Sequence, residues 1–242
     1  ATEKRVLISG FDPFGLTGAP SGTGTNMTIL DSNPSGAAVL ALDGTHISGQ
    51  NGLAAFVQGV IFPVRYRDFD AGVIENLFRP FLDGTTPVSM IMTISQGGST
   101  FDIEQWAGRR RSTNGFDDNE GATSGGSTMN PVEPPGIAAG PEFLKTQLPH
   151  KEMSTVPDTS LNTAGKTSMP KNPGISVSGT GGGFLSNEIF YRVRLLQTTI
   201  GGKALKLPVG HLHVPSEDTK GMSRESIKDR IREIIAAALP AI

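Results

Sequence analysis

Cysteine is absent from this chain of 242 residues, which excludes disulfide bonds, thiolate catalysis and cysteine-ligated zinc or iron–sulfur sites. An excess of charge of either sign is also missing, because 21 basic residues stand against 23 acidic ones. Such a balance creates no long-range field that would attract nucleic acid or an anionic membrane. No apolar run approaches the roughly 20 residues that cross a bilayer. We therefore expect a soluble protein with no nucleic-acid partner and no membrane partner.

The start of the chain gives little indication of its compartment. Because the first residue is Ala1, we expect that an initiator methionine, a tag or a secretory signal preceded it. The opening stretch ATEKRVLISG lacks the apolar core of a signal peptide. A chain without cysteine suits both redox environments, so secretion stays open if a signal peptide preceded Ala1.

Strand-like and helix-like segments alternate along the chain. Apolar patterning predicts strands in KRVLISG, AAFVQGVIFPV, PVSMIMTIS, KNPGISVSG and KALKLPVGHLHVP. Helical spacing of apolar residues occurs in YRDFDAGVIENLFRPFL, from Phe184 to Leu196, and in SRESIKDRIREIIAAAL, where Ser223 is a predicted N-cap. This alternation predicts one α/β domain over 1–242, with its ligand site at the carboxyl ends of the strands.

The region from about Asn114 to Pro173 has a different composition. It is rich in glycine, serine, threonine, proline and asparagine, and only AAGPEFLKTQL within it predicts a short helix. We expect a long loop here, and loops of this length are usually functional or mobile.

The glycine run GTGGG stands directly before a predicted helix that has Ser186 in its first turn. Such a run is typical of a tight strand-to-helix turn. It could also aim backbone N–H groups at a phosphate or an oxyanion. Ser186 is open to two interpretations, a helix-start residue or a nucleophile, and its flanking residues do not form the G-x-S-x-G elbow.

Two histidines and two carboxylates are the further candidates for chemistry. His211 and His213 point to one face of a predicted strand, where they could hold a metal, or one of them could serve as general base for a serine. Asp102 and Glu104 follow a buried strand and could orient that base. The run 109–111 of three arginines is most often solvated surface, with binding of an anionic substrate as the second interpretation.

Motifs spread over the whole chain resemble those of the pyroglutamyl peptidase I family. GFDPFG resembles its G-F-x-P-F-G, NPS its N-P-[ST], and SQGGSTFDIEQWA its G-Q-A-G-G-R-x-x-[IV]-x-[IV]-E-R-x-A. DNEG is shared outright, and AGPEFLKTQLP is similar to G-P-x-x-[YF]-x-[ST]-x-L-P. SGTGGGFLSN aligns without gaps on S-N-x-A-G-x-[YF]-[LV]-C-N, and GHLHVP resembles G-[FL]-I-H-[VI]-P.

The resemblance implies a three-layer α/β/α sandwich with a twisted, mostly parallel central sheet. It also implies removal of N-terminal pyroglutamate from peptides, with no cofactor and no metal, in a cytoplasmic protein that could form a homo-oligomer. The family's catalytic acid, base and nucleophile fall on Glu104, His213 and Ser186. The implied substrate-binding positions are Phe11, Phe14, Gln96, Phe184 and Leu185, and Phe116 is expected on the leaving-group side.

Two positions depart from the family pattern. Ser186 replaces the nucleophilic cysteine, and Gly115 replaces an arginine that stands three positions before the D-N-E-G aspartate. A serine stays protonated and depends on base catalysis, whereas a cysteine beside a protonated histidine is largely thiolate. Ser186 is therefore a natural nucleophile, an engineered replacement of cysteine, or the mark of a natural pseudoenzyme that binds lactams. A hydrolase of another cyclic amide is the further alternative.

Overall fold

The computed structural model describes residues 3–14, 32–113, 117–163, 176–217 and 219–242. Within these residues the strands are β1 (Lys4–Phe11), β2 (His46–Ser48), β3 (Ala54–Phe62), β4 (Met90–Gln96), β5 (Phe101–Glu104), β6 (Trp106–Gly108), β7 (Phe143–Lys145), β8 (Thr159–Asn162) and β9 (Val209–Val214). The α-helices are α1 (Pro34–Leu42), α2 (Tyr66–Asp70), α3 (Val73–Leu82), α4 (His150–Met153), α5 (Leu185–Ile200) and α6 (Arg224–Ala238). Short 3₁₀ helices cover 50–52, 202–206, 219–221 and 239–241.

Seven of the strands form one sheet in the order β2-β3-β1-β4-β9-β5-β8. The pairs β1–β3, β1–β4, β4–β9 and β5–β8 are parallel, whereas β2–β3 and β5–β9 are antiparallel. Strands β6 and β7 pair separately. The predicted α/β architecture with a mostly parallel central sheet is therefore confirmed.

Helices cover both faces of this sheet. Successive side chains of a strand point to opposite faces, and on β1 Val6 and Ile8 pack into the same cluster as α1, α4 and α6. Leu7 and Phe11 pack on the other face, in the cluster that contains α2, α3 and α5. The apolar runs that the sequence contains are thus strands buried between two helical layers, as is typical of parallel sheets.

Most predicted elements are present, with differences at their ends. The predicted helix over YRDFDAGVIENLFRPFL is divided into α2 and α3 because Gly72 adopts φ 81°, a left-handed conformation that interrupts the helix. The last helix begins after Ser223, whose side chain accepts a hydrogen bond from the Ser226 amide, so the predicted N-cap is confirmed.

The predictions for the middle of the chain differ more from the structure. The short helix expected in AAGPEFLKTQL is wrong, since the strand β7 lies there and pairs with β6. Helix α4 and strand β8 also interrupt the expected long loop, of which residues 114–116 and 164–173 lie outside the described part. Of the predicted strand KNPGISVSG, the described residues 176–179 form only a bridge between Gly179 and Gly182.

The end of β1 and the start of α1 meet at backbone contact distance. A Cβ added at Gly36 would lie 2.1 Å from the carbonyl oxygen of Phe11. Asn33 caps α1 by accepting from the Ser35 amide at 3.1 Å, and the Ser35 hydroxyl accepts from the Phe11 amide at 3.2 Å. The NPS and GFDPFG motifs are therefore two parts of one junction, which fixes where β1 ends and where Phe11 points.

We expect that Gly36→Ala would push β1 and α1 apart, because a methyl group has no space beside the Phe11 carbonyl. Overpacking of this kind lowers the free energy of unfolding by about 1–3 kcal/mol, which chemical denaturation would measure. Ala41→Ser on the exposed side of the same helix is the matched control, with a change within about 0.5 kcal/mol. An unchanged stability in Gly36→Ala would contradict the tight junction.

Candidate active site

A pocket of about 550 Å³ opens at the carboxyl ends of β1, β4 and β9. This is where open parallel sheets place their ligand sites. Nine of the residues singled out in the sequence line the pocket: Phe11, Phe14, Gln96, Asp102, Glu104, Phe184, Leu185, Ser186 and His213. Phe116, the remaining predicted substrate-binding residue, lies outside the described residues. The chain thus brings together candidates that are up to 202 positions apart, from Phe11 to His213.

His213 and Glu104 form a buried pair at the centre of this pocket. The Nδ1 atom of His213 lies 2.7 Å from Glu104 Oε1, and the Glu104 side chain is 2% exposed. Asn162 donates to Glu104 Oε2 at 3.1 Å and to the Thr180 carbonyl at 3.2 Å. Because the carboxylate accepts at Nδ1, the imidazole presents Nε2 as the nitrogen that can take or give a proton.

Glycines enclose the His213 ring on two sides. A Cβ at Gly97 would lie 2.4 Å from His213 Cδ2, and a Cβ at Gly181 would lie 2.5 Å from His213 Cε1. Gly183 is equally confined, since its Cβ would lie 1.9 Å from Ser112 Oγ. Within the glycine run, Gly181 is therefore required by close packing against the imidazole and Gly183 by close packing against Ser112, reasons that do not involve phosphate.

Ser186 lies in the first turn of α5 and is partly exposed to the pocket. The first N–H groups of a helix have no partner within the helix, so the Ser186 hydroxyl is next to the positive end of a 16-residue helix dipole. Among the described residues, the Ser186 hydroxyl has no hydrogen bond, to His213 or to any other side chain.

The other end of the pocket is apolar. Phe11 stacks on Phe69 with ring centroids 6.3 Å apart, and Phe184 meets Tyr66 edge-on at 5.8 Å. Gln96 reaches the same pocket, and its Oε1 atom is buried without a hydrogen-bond partner among the described residues. A flat apolar ring with one N–H donor would fill this end and satisfy that acceptor.

His211 lies directly beside the His213 ring but in a different environment. The two ring centroids are 4.7 Å apart. His211 Nδ1 is 2.7 Å from Thr93 Oγ1, and His211 Nε2 is 2.8 Å from Ser95 Oγ. Complete burial, together with the neighbouring His213, lowers the pKa of His211 well below its ordinary value. His211 is therefore a neutral, structural histidine.

The sequence suggested that the three consecutive arginines form a solvated surface, and the structure shows that they do not. Arg109 and Arg111 are 7% and 3% exposed. Arg111 donates to both carboxylate oxygens of Glu188, at 2.7 and 2.9 Å, and to Asp70 at 2.6 Å. Although burial disfavours its charge, the hydrogen bonds and negative charges of Glu188 and Asp70 raise the pKa of Arg111.

The DNEG motif fastens the loop that carries Phe14. Asn119 donates to the Pro13 carbonyl at 2.7 Å, and Asp118 accepts from the Tyr66 amide at 2.8 Å. Asp12 in the same loop accepts from the Val64 amide at 2.7 Å. Burial raises the pKa of Asp12. The motif forms a turn, and its side chains connect three segments around the pocket.

Sequence reasoning missed the polar residues that support the pocket. Asn162 carried no signal, because it lies in a stretch that reads as loop. Ser95 could have been noticed as a polar residue that ends a buried apolar run, at a position where the family motif has glycine. Among the described residues, no group of three or more His, Asp or Glu side chains could hold a metal ion. None of the described helices is long and apolar enough to span a membrane.

The family described as PA0049, C-terminal domain, matches residues 5–134 and 137–218. The chain belongs to this family. The uncharacterized protein PA0049 of Pseudomonas aeruginosa is 42% identical over 108 residues, which are 44% of this chain and 19% of that protein. The pyrrolidone-carboxylate peptidase of Vibrio campbellii is 27% identical over 243 residues, covering 99% of this chain and 92% of that enzyme.

Solved structures show the same fold. A mutant pyrrolidone carboxyl peptidase from Pyrococcus furiosus has a TM-score of 0.65 and 20% identity, covering 98% of this chain and 99% of that one. Pyroglutamyl peptidase I from Bacillus amyloliquefaciens has a TM-score of 0.63 and 21% identity, covering 99% and 98%. The resemblance that the motifs indicate is therefore confirmed, and the chain has the pyroglutamyl peptidase fold.

The neutral state of His211 predicts how stability depends on pH. Below its ordinary pKa of about 6.5 the histidine binds a proton in the unfolded chain but not in the folded one. The free energy of unfolding therefore falls as pH drops from about 6.5, by up to about 1.4 kcal/mol per pH unit for this group. His211→Gln should remove this part of the slope between about pH 6.5 and 5, measured by urea unfolding.

His46→Gln, at an exposed histidine, is the control for loss of one imidazole and should keep the slope of the unsubstituted protein. If His211→Gln keeps it as well, the histidine is not held neutral.

Proposed function

We propose that the chain is a hydrolase that removes N-terminal pyroglutamate from peptides, with Glu104, His213 and Ser186 as its catalytic residues. The observation that carries the proposal is the buried 2.7 Å contact between His213 and Glu104 in a pocket that Ser186 also lines. A carboxylate that fixes the tautomer of a histidine next to a serine is the arrangement that activates a hydroxyl.

The first half of the reaction uses each group at a stated atom. Ser186 Oγ attacks the pyroglutamyl carbonyl carbon while its proton passes to His213 Nε2. The negative charge on the carbonyl oxygen is stabilised by N–H groups at the start of α5, which face the pocket with the positive end of the helix dipole. The carbon–nitrogen bond then breaks, and the amine leaves with the proton from His213.

The second half repeats the sequence with water. The ester between Ser186 and pyroglutamate is attacked by a water molecule that gives its proton to His213 Nε2. Collapse of the intermediate returns that proton to Ser186 Oγ and releases pyroglutamate. Glu104 stays ionised and stabilises the imidazolium in both halves.

The ring end of the pocket suits the lactam. Phe11, Phe14 and Phe184 offer apolar faces to the ring, and the unpartnered Gln96 Oε1 can accept its N–H. A site built to accept such a hydrogen bond discriminates strongly against a ring that lacks the donor. We infer that the pocket distinguishes pyroglutamate on this basis from a ring of the same size that has no N–H donor, such as a cyclopentane ring.

The direct test is release of coumarin from a pyroglutamyl-coumarin amide. The unsubstituted chain should release it, and His213→Ala should reduce kcat by about a thousandfold or more. Ser186→Ala should lose the acyl adduct that mass spectrometry finds on a peptide containing Ser186. His150→Ala, outside the pocket, is the control. Absence of both turnover and adduct in the unsubstituted chain would refute the serine mechanism.

Ser186→Cys gives an independent check on the same site. A thiol beside a histidine and a helix N-terminus has a lowered pKa and reacts as thiolate. We therefore expect turnover at least equal to that of the serine form, with new sensitivity to iodoacetamide. An inert cysteine variant would show that Nε2 and position 186 are not arranged for attack.

A lactam-binding protein without turnover is the second candidate. The observation that favours it is the Ser186 hydroxyl, which has no hydrogen bond to His213 among the described residues. Calorimetry with pyroglutamate separates the two, because binding without turnover of the coumarin amide would select this candidate. Catalytic hydrogen bonds often tighten only when substrate binds, so the hydrolase remains our proposal.

A further inference from the structure

The pocket contains one carboxylate that has no positive partner among the described residues. Glu104 is paired with His213, but Asp102 has no such pair. Its Oδ1 atom accepts from Thr100 Oγ1 at 3.0 Å, and no described lysine or arginine lies within ion-pair distance. Asp102 is partly exposed and lines the pocket, and none of the described lining residues is a lysine or arginine.

The strand order fixes where Asp102 lies relative to the other groups. Phe11 ends β1, Gln96 ends β4, His213 is near the end of β9, and Asp102 is on β5. These strands are consecutive neighbours in the sheet, and each step is about 4.8 Å. Asp102 pairs in register with His213, so both side chains point to the same face. The apolar end, the base and Asp102 therefore follow one another along the sheet.

The carboxylate is open towards the pocket because its neighbour is a glycine. Gly98 has φ 69°, which disfavours any other residue, and a Cβ there would lie 3.3 Å from Asp102 Oδ2. A side chain at position 98 would cover the carboxylate. Without one, a ligand group that passes His213 reaches Asp102 directly.

We propose that Asp102 binds a cationic group in the residue that follows pyroglutamate, so that the site prefers substrates with lysine or arginine there. The inference rests on the proposed function. A lactam ring at the phenylalanine end places the scissile bond at His213 and the leaving amine on the Asp102 side. An ammonium or guanidinium group there gains a charge-assisted hydrogen bond, whereas an acidic side chain is repelled.

The test compares three peptides that differ in one side chain: pyroglutamyl-lysine amide, pyroglutamyl-norleucine amide and pyroglutamyl-glutamate amide. Norleucine keeps the four side-chain carbons of lysine without the charged amino group. In the unsubstituted chain we expect kcat/KM to be about five- to tenfold higher for lysine than for norleucine, and lowest for glutamate. The lysine preference should decrease with added salt.

Asp102→Asn keeps the size of the side chain and removes its charge, so the ratio of lysine to norleucine should fall to about one. Asp83→Asn, at a carboxylate outside the pocket, is the matched control and should keep the preference. A ratio of one in the unsubstituted chain, or a preference that persists in Asp102→Asn, overturns the inference while hydrolysis itself upholds the proposed function.

If no peptide is hydrolysed, the proposed function fails, and calorimetric binding of the same amides then decides the inference. Tighter binding of the lysine amide that is lost in Asp102→Asn supports it. Equal affinities, or no binding of either amide, overturn it.

Discussion

The arrangement of the site depends on the buried ion pairs that the Glu188 carboxylate makes with two arginines. This carboxylate is buried in the first turn of α5 and accepts from Arg111 through both oxygens and from Arg192 through Oε1 at 2.8 Å. Arg192 also donates a hydrogen bond to Glu75 of α3 at 2.9 Å, and Arg111 also donates one to Asp70 at the end of α2. A buried charge that loses its partner costs about 3–5 kcal/mol, so these groups hold the start of α5 against its neighbours.

The charged groups around Glu188 are connected to the pocket by two sets of contacts. Ser112, next to Arg111, donates its amide to the Gly183 carbonyl at 3.2 Å, which fixes the glycine turn before Ser186. The Arg111 guanidinium also lies 4.6 Å from the centre of the Tyr66 ring, and Tyr66 packs edge-on against Phe184. The Glu188 carboxylate, two positions after Ser186, thus determines both the turn beside the candidate nucleophile and one wall of the apolar end of the pocket.

Local patterns in the sequence were enough to predict the central strands and the last helix. The run that becomes β4 has Met90, Met92 and Ile94 on one face, and the Ser223 cap acts within three residues. Motif resemblance supplied the pairing of Glu104 with His213, since neither residue carries a local sign of the other. Burial of Arg111 could not be predicted in this way, because its partner Glu188 lies 77 positions further along the chain.

The short strands of the middle segment could not be predicted from the sequence for a related reason. Strands β7 and β8 have three and four residues, too few for a period to be visible. Strand β7 exists because it pairs with β6, and β8 because it pairs with β5. Tertiary pairing overrides weak local preference in such stretches. Asn162 reaches Glu104 only because β8 is in register, so its place in the site could not be predicted either.

The two adjacent histidines show how the fold assigns different roles to one residue type. Their rings are 4.7 Å apart, and two positive charges at that distance in a buried site would repel each other strongly. Only His213 has a carboxylate on its ring, whereas His211 is held by the hydroxyls of Thr93 and Ser95. Hydroxyl groups satisfy a neutral imidazole without compensating a charge. The fold therefore places a carboxylate on the histidine that the proposed reaction uses and hydroxyl groups on its neighbour.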